Sequence, residues 1–234
     1  EILFWISLFI VFYTYIGYGI VLYILVKIKE TFRKPVHYPM PADEELPEVT
    51  LFIAAYNEED VVDEKMQNCL ALDYPADKLQ IFWVTDGSND HTNERLSHWS
   101  RATVLHQPER QGKTAAREAL REIVHAFVNP KVGCVAGEKR IAMQSKDNAA
   151  SGGEGIYWKY ESTLKALDSR LYSAVGAAGE LFAVRRELFE DMRTDTLLDD
   201  FILSLRIAMR GYTIAYCAAA YATESGSADM QEEE

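Results

Sequence analysis

From residue 48 onward, short apolar runs alternate with amphipathic stretches. Val49, Leu51, Phe52 and Ile53 form a run rich in β-branched and aromatic residues, which reads as a buried strand. Polarity then changes at once: Asn57 is placed as a helix N-cap, with Glu58, Glu59 and Asp60 in the first helical turn. Val62, Met66, Cys69 and Leu70 give helical spacing over 58–72, and Asp73-Tyr74-Pro75 ends it. The unit then recurs. Residues 80–85 read as a strand running out in Asp86-Gly87-Ser88-Asn89-Asp90, 92–100 as a short helix, 103–106 as a third strand and 113–124 as a helix rich in Ala, Leu, Arg and Glu. Strand alternating with helix at this rhythm predicts an α/β fold with a doubly wound, mostly parallel sheet, and places ligands at the carboxyl ends of the strands.

The rhythm breaks after Val124. Residues 121–130 hold too little chain for the next strand and its loop, and a good strand resumes only at 132–137. Residues 156–170 read as a helix carrying Tyr157, Trp158, Tyr160, Leu164 and Leu167, followed by a flexible Gly176-Ala177-Ala178-Gly179 loop and a strand over 181–184. A short helix ends near Met192. Asp199 and Asp200 open a helix with Phe201, Leu205 and Ala208 on one face, Gly211 suits its C′ position, and 213–221 forms a last strand.

Before this domain, residues 2–26 contain no charge and are apolar on every face, long enough for a helix across a bilayer core, which takes roughly 20 residues. Lys27, Lys29, Arg33 and Lys34 follow and put that flank, and the domain after it, on the cytoplasmic side of an inner or plasma membrane. Prolines 35, 39, 41 and 47 make the next stretch an extended linker. The organisation read is a transmembrane helix at 1–29, a Pro-rich linker at 30–47 and a domain at 48–234. Both ends are read as cut, since Glu1 is no initiator and Gln231-Glu232-Glu233-Glu234 carries no stop signal. Charge alters the picture in one respect. Against 36 Asp and Glu stand 24 Lys and Arg, a net −12, which argues against a nucleic-acid partner. Cys69, Cys134 and Cys217 show no metal or redox spacing and read as reduced, partly buried thiols.

Two strands ending in acidic loops outline a site for a polar ligand. Five segments in order carry a further pattern: Ala54-Ala55-Tyr56-Asn57-Glu58-Glu59, Val84-Thr85-Asp86-Gly87-Ser88-Asn89-Asp90-His91-Thr92, Gln111-Gly112-Lys113-Thr114-Ala115-Ala116-Arg117, 176–186, and Leu198-Asp199-Asp200. Together they resemble the membrane-bound, polysaccharide-synthase-like family 2 glycosyltransferases, with a GT-A nucleotide-sugar domain, over nearly all of the soluble part. The resemblance implies an inverting transfer from a nucleotide-sugar, UDP-linked, to a polysaccharide or lipid-linked acceptor. It implies donor contacts from Ala54, Tyr56, Glu58, Asp86 and Lys113, acceptor contacts from Gly179 and Glu180, and Asp200 as general base beside Asp199. The chemistry suits these roles: carboxylates at strand ends accept hydrogen bonds from a base N–H and ribose hydroxyls, and a cation at a helix start suits a phosphate. Each residue also has a plainer reading. Glu58 can answer a helix dipole, Asp86 can close its own turn, Lys113 can be a solvated surface lysine, and Asp199 and Asp200 can simply cap a helix. Asp90 is read as turn chemistry.

Two departures qualify the resemblance. The family's Asp-x-Asp motif, which holds Mg²⁺ or Mn²⁺ on the diphosphate, is absent from this sequence, and the triplet ending in the base reads Leu-Asp-Asp where the family has a Thr-Glu-Asp-like run. The chain is short where Asp-x-Asp belongs, so a break near Val124 and an omitted metal loop are expected. A catalytically degenerate nucleotide-sugar-binding subunit is the alternative reading.

Overall fold

The computed structural model describes residues 1–86, 88–107, 119–142, 149–177, 181–190, 192 and 198–225. The N-terminal apolar run is one helix over Ile2–Phe32, long and apolar enough to cross a membrane. It consists of α1 (Ile2–Phe12), a π-helical turn (Tyr13–Gly17) and α2 (Tyr18–Phe32).

The domain that follows carries two three-stranded sheets among the described residues. In the first, β1 (Val49–Ala55), β2 (Leu79–Asp86) and β3 (Ala102–Gln107) lie side by side in that order, all parallel. Helices α3 (Val62–Leu70) and α4 (Thr92–Ser97) make the crossovers. The apolar alternation of β1 and β2 turns Ile53, Ala55, Ile81 and Trp83 into a core with Val62, Met66 and Leu96. Inside it the Trp83 indole N–H donates to the Met66 sulfur at 3.1 Å. On the other face, Phe52 stays 61 % exposed, stacked on Phe82. In the second sheet β4 (Val132–Ala142) is central, antiparallel to β5 (Phe182–Val184) and parallel to β6 (Thr213–Ser225). The largely parallel, helix-covered architecture expected from the alternation is present, but the described residues form no single continuous sheet.

The reason lies between the sheets. Helix α5 (Ala119–Ala126) runs through Val124, and the turn after it closes with the Phe127 N–H on the Val124 carbonyl and the Val132 N–H on that of Asn129. Only a turn joins α5 to β4, so the chain has no strand there to link β1 to the second sheet. Helix α5 serves both sides instead. Leu120 and Val124 belong to the first core, while Ile123, with Phe127 just beyond, packs with Val132, Val135 and Ala220 of the second.

The proline-rich stretch is docked rather than loose. Lys78 donates from Nζ to the carbonyls of Asp43, Glu44 and Leu46 at 3.0, 2.7 and 2.8 Å, the Tyr74 hydroxyl donates to the Pro47 carbonyl, and Leu46 is buried.

Three expectations of local structure change. Asn57 is not the cap of α3, because it adopts φ 50° and the helix starts at Val62. Glu58, Glu59 and Asp60 therefore precede that helix. On α7 (Asp199–Met209) the buried stripe is Leu203, Ser204 and Ile207, one step round from the expected Phe201, Leu205 and Ala208. This rotation follows from α7 crossing β4 at Gly133, where an added Cβ would lie 2.6 Å from Ile207 Cγ2, 2.8 Å from Tyr212 Cβ and 2.9 Å from Leu188 Cδ1. Even one methyl overpacks this crossing, so Gly133→Ala is expected to destabilise the domain by about 1–3 kcal/mol, read as a lowered thermal midpoint; an unchanged midpoint would show that the crossing is loose.

Candidate active site

The first half of the site is built where β1 and β2 end. Neighbouring parallel strands release their loops on the same edge, and here the two loops are stitched together residue by residue. The Asn57 N–H donates to Ser88 Oγ at 3.0 Å, and Asn57 Oδ1 accepts the Asn89 N–H at 2.9 Å. The Glu58 N–H donates to Thr92 Oγ1 at 2.9 Å. The Glu59 N–H donates to Asp90 Oδ2 at 3.1 Å, while Asp90 Oδ1 accepts the Thr92 N–H at 3.0 Å. Glu59 Oε2 accepts the His91 N–H at 2.8 Å and lies 2.7 Å from its ring Nδ1.

This clasp consumes the backbone N–H groups of Asn57, Glu58 and Glu59, and leaves the Glu58 carboxylate outside the stitching. Partial loss of hydration, with Asp90 nearby, holds the Glu58 pKa above the ordinary carboxylate value. Glu59 moves the other way, lowered by the backbone and side-chain hydrogen bonds of His91, and Glu59 raises His91 in turn. Asp90 is thus more than turn chemistry: it pins both loops. The readable signal was its spacing to Thr92, since Asp and Thr side chains both bond backbone N–H groups two or three residues away.

Ala54 lies near the end of β1, with Tyr56 just beyond it and half-buried. Asp86 is the last residue of β2, paired in register next to Thr85, which faces Ala55 across the ladder. The Asp86 side chain, and Lys113, Gly179 and Glu180 altogether, lie outside what the structure describes.

The second half belongs to the other sheet. Asp199 and Asp200 occupy the first turn of α7, after Leu198 in the left-handed region at φ 55°. The stem of the glycine loop is fixed against this turn. The Ala177 N–H donates to Ser204 Oγ at 3.0 Å, the Ser204 hydroxyl donates to the Phe201 carbonyl at 2.7 Å, and Gly176, at φ 89°, leaves room for the Phe201 ring where a Cβ would fall 2.3 Å from Cδ2. Sequence reasoning missed Ser204, which looks like one more polar position on a helix. Because α7 returns into β6, which starts beside the first residues of β4, its N-terminus points toward the carboxyl ends of those parallel strands. Burial pushes the Cys134 thiol up to about 12, and the Asp200 carboxylate adds to the shift, which places Asp200 within electrostatic reach of β4.

Among the described residues no group of three or more His, Cys, Asp or Glu could hold a metal ion, and the sequence has no Asp-x-Asp. The described residues therefore assemble no divalent cation site.

A parallel three-stranded half with an acidic clasp, joined to a mixed half with paired aspartates at a helix start, is the plan of the GT-A glycosyltransferase fold. The comparisons with known proteins agree. Residues 50–128 match the family model described as glycosyl transferase family 2. A beta-monoglucosyldiacylglycerol synthase of Trichormus variabilis is 26% identical over 219 residues, covering 78% of this chain and 46% of that protein. A poly-beta-1,6-N-acetyl-D-glucosamine synthase of Staphylococcus aureus is 24% identical over 206 residues, covering 74% of this chain and 48% of that protein. A mannosyltransferase from Pyrobaculum calidifontis, solved with GDP-Man and Mn²⁺, superposes with a TM-score of 0.70 at 25% identity over 93% of this chain and 67% of that one. The match to glycosyltransferase family 2 covers about a third of the chain, and the solved neighbour gives the fold as GT-A. It spans about half the length of the curated relatives it matches.

The clasp carries a pH signature. His91, whose pKa is raised on folding, contributes below its unfolded value of about 6.5 and loses the contribution as pH rises through its folded pKa. Glu59, lowered on folding, contributes above its unfolded value of about 4.3 and loses it as pH falls through its folded pKa. Both side chains are solvent-facing, so the effect is small and salt-sensitive. The gap in thermal midpoint between the native chain and His91→Gln is expected to be widest between those two values and to narrow on either side; a gap independent of pH would remove the ion pair from the account.

Proposed function

We propose that this chain catalyses inverting transfer of a sugar from a nucleotide-sugar, UDP-linked, to a polysaccharide or lipid-linked acceptor at a membrane, with the domain on the cytoplasmic side. The observation that carries the reading is the pairing of two devices: a rigid acidic clasp at the ends of β1 and β2, and aspartates in the first turn of α7, tied through Ser204 to the stem of a glycine loop. In this reading Ala54, Tyr56, Glu58 and Asp86 meet the nucleoside, Lys113 the diphosphate, and Gly179 and Glu180 the acceptor.

Asp200 is the base. The acceptor oxygen forms a bond to the anomeric carbon as its proton passes to the Asp200 carboxylate. The bond from that carbon to the diphosphate breaks on the opposite face, and the nucleoside diphosphate leaves with the electron pair. A positioned base of this kind is typically worth about 10²–10⁴-fold. The raised pKa of Glu58 fits a carboxylate that gives up some hydration and gains it back from donor hydroxyls. The Pyrobaculum calidifontis neighbour was solved with a guanosine donor and Mn²⁺, so GDP-linked donors and the divalent ions Mg²⁺ and Mn²⁺ belong in the test.

The turn that stands between α5 and β4, and the lack of a cation-ligand cluster among the described residues, favour a second reading, a degenerate nucleotide-sugar-binding subunit. One experiment separates the two: release of free nucleotide over a panel of UDP- and GDP-sugars, with and without Mn²⁺, for the native chain and for Asp200→Asn. The enzyme reading expects donor-dependent release that falls about 10²–10⁴-fold in Asp200→Asn while donor binding persists. Binding without release in the native chain would establish the subunit instead, and unchanged turnover in the variant would end the base assignment.

A further inference from the structure

The long N-terminal helix changes character halfway along. In α1 no residue is buried. In α2 one face is taken up by α6 (Ala149–Leu171), the two helices running in the same direction. The Tyr160 hydroxyl donates to the Tyr15 carbonyl at 2.6 Å and the Tyr18 hydroxyl to Asp168 at 2.7 Å. Leu22 and Val26 are buried with Leu167, and Lys29 Nζ donates to the Arg170 and Leu171 carbonyls at 2.8 and 2.7 Å. Helix α6 turns its opposite face to the second sheet, where Ser169 Oγ accepts the Tyr216 N–H at 3.0 Å and Ser162 Oγ the Tyr216 hydroxyl at 2.9 Å. The layers therefore run β6, α6, α2, with α2 outermost.

The outer face of α2 is apolar along its whole length. Ile20, Ile24 and Ile28 follow one another four residues apart, flanked by Val21, Leu25 and Phe32, and all are exposed, from 42 % at Val21 to 83 % at Phe32. Lys27, Arg33 and Lys34 stand exposed beside this stripe, and Glu30, the one acid in residues 27–34, is held by Arg170.

Three observations say what the stripe meets. First, it continues without interruption into α1, which is apolar on every face, as helices immersed in hydrocarbon are. Second, an upright helix puts the wrong groups at the wrong depth. A bilayer core of about 30 Å takes roughly 20 helical residues, so an upright span from Ile2 leaves the core near Val21. Asp168, bonded to Tyr18, and the Glu161–Lys165 ion pair, flanking the Tyr160 and Leu164 that meet Tyr15 and Gly19, would then lie at hydrocarbon depth, where ionised side chains are costly. Ile24, Ile28 and Phe32 would stand in water, the last about 16 Å of helix beyond the boundary. Third, these misplaced groups divide by side. Every charge at issue belongs to α6, on the domain side of α2, and every exposed apolar residue belongs to the outer side.

We propose that α2 lies along the bilayer surface rather than across it. Helix α1 dips obliquely into the hydrocarbon, the stripe over 20–32 rests in the boundary between acyl chains and headgroups, and Lys27, Arg33 and Lys34 meet lipid phosphates. Helix α6 rides on the water side and carries the domain. Interfacial helices bury an apolar face about 5–10 Å deep in this way, and basic residues next to a membrane favour anionic headgroups. The inference rests on the membrane placement in the function proposed above and not on the transfer chemistry. Its consequence is a fixed mounting: the Tyr18–Asp168 bond and the Lys29 cap on the end of α6 tie the domain to a helix that follows the surface, so the second sheet is held at a set height above the lipid.

The test uses the full chain in phospholipid nanodiscs with one spin label at a time, on Phe9→Cys, Ile24→Cys, Ile28→Cys or Lys159→Cys. The background is Cys217→Ala, since Cys69 and Cys134 are buried. Collisions with oxygen, which concentrates among acyl chains, are compared with collisions with a water-soluble nickel chelate. Oxygen is expected to dominate at positions 9, 24 and 28, and the chelate at 159 on α6. Chelate dominance at 24 and 28 with oxygen dominance at 9 would mean an upright helix and overturn the inference. Labels at 24 and 28 shielded from both reagents would mean that protein covers the stripe, and would overturn it equally. Chelate dominance at position 9 would remove the membrane placement itself, which separates that failure from a failure of the surface-lying helix alone.

Discussion

The structure depends first on backbone hydrogen bonds that have no strand or helix to satisfy them. Where β1 and β2 end, the N–H groups of Asn57, Glu58 and Glu59 would point into an open loop. They are taken instead by Ser88, Thr92 and Asp90 of the neighbouring loop. Each such bond contributes about 0.5–1.5 kcal/mol net, and more when the acceptor is ionised. Their larger effect is geometric. Two segments some thirty residues apart become one rim, and the Glu58 backbone is held at its edge. A carboxylate whose backbone is held in this way loses less entropy on meeting a ligand than one on a loose loop.

Much of this was legible in the sequence, and the reasons differ from element to element. The strands showed because runs rich in β-branched and aromatic residues favour extended backbone, as at Val49 to Ile53 and Ile81 to Val84, although one face of β1 stays open at Thr50 and Phe52. The pairing of loops did not show, because no single-residue property marks which turn will lie next to which. Asn57 has the chemistry of a helix cap and uses it instead across the rim, at a positive φ that Asn tolerates. Lys65 was equally hidden: a lysine within a helical apolar stripe reads as the polar neighbour of that stripe, yet it is buried, and burial lowers its ammonium to about 8. Ser204 and Gly176 together fix the loop before Glu180, a relation made across the fold rather than along the chain.

The split between the sheets follows from arithmetic on chain length. A parallel crossover needs a dozen or more residues, and the segment between Val124 and Val132 supplies only a turn. Helix α5 compensates by spreading an apolar face across both cores, with Leu120 and Val124 on one and Ile123 on the other. It keeps the two halves together through side-chain packing, without the ladder of hydrogen bonds that a shared sheet would give. The clasp and the α7 aspartates rest on other elements than this turn.

The central claim is that the rim at Glu58 and the turn at Asp200 close on one ligand. Amide hydrogen exchange measures this directly, with and without the nucleotide-sugar that supports nucleotide release. If the claim is right, the donor slows exchange at residues 57–59 and at residues 199–201 together, with the same concentration dependence. Slowing at only one of the two, at saturating donor, would contradict it.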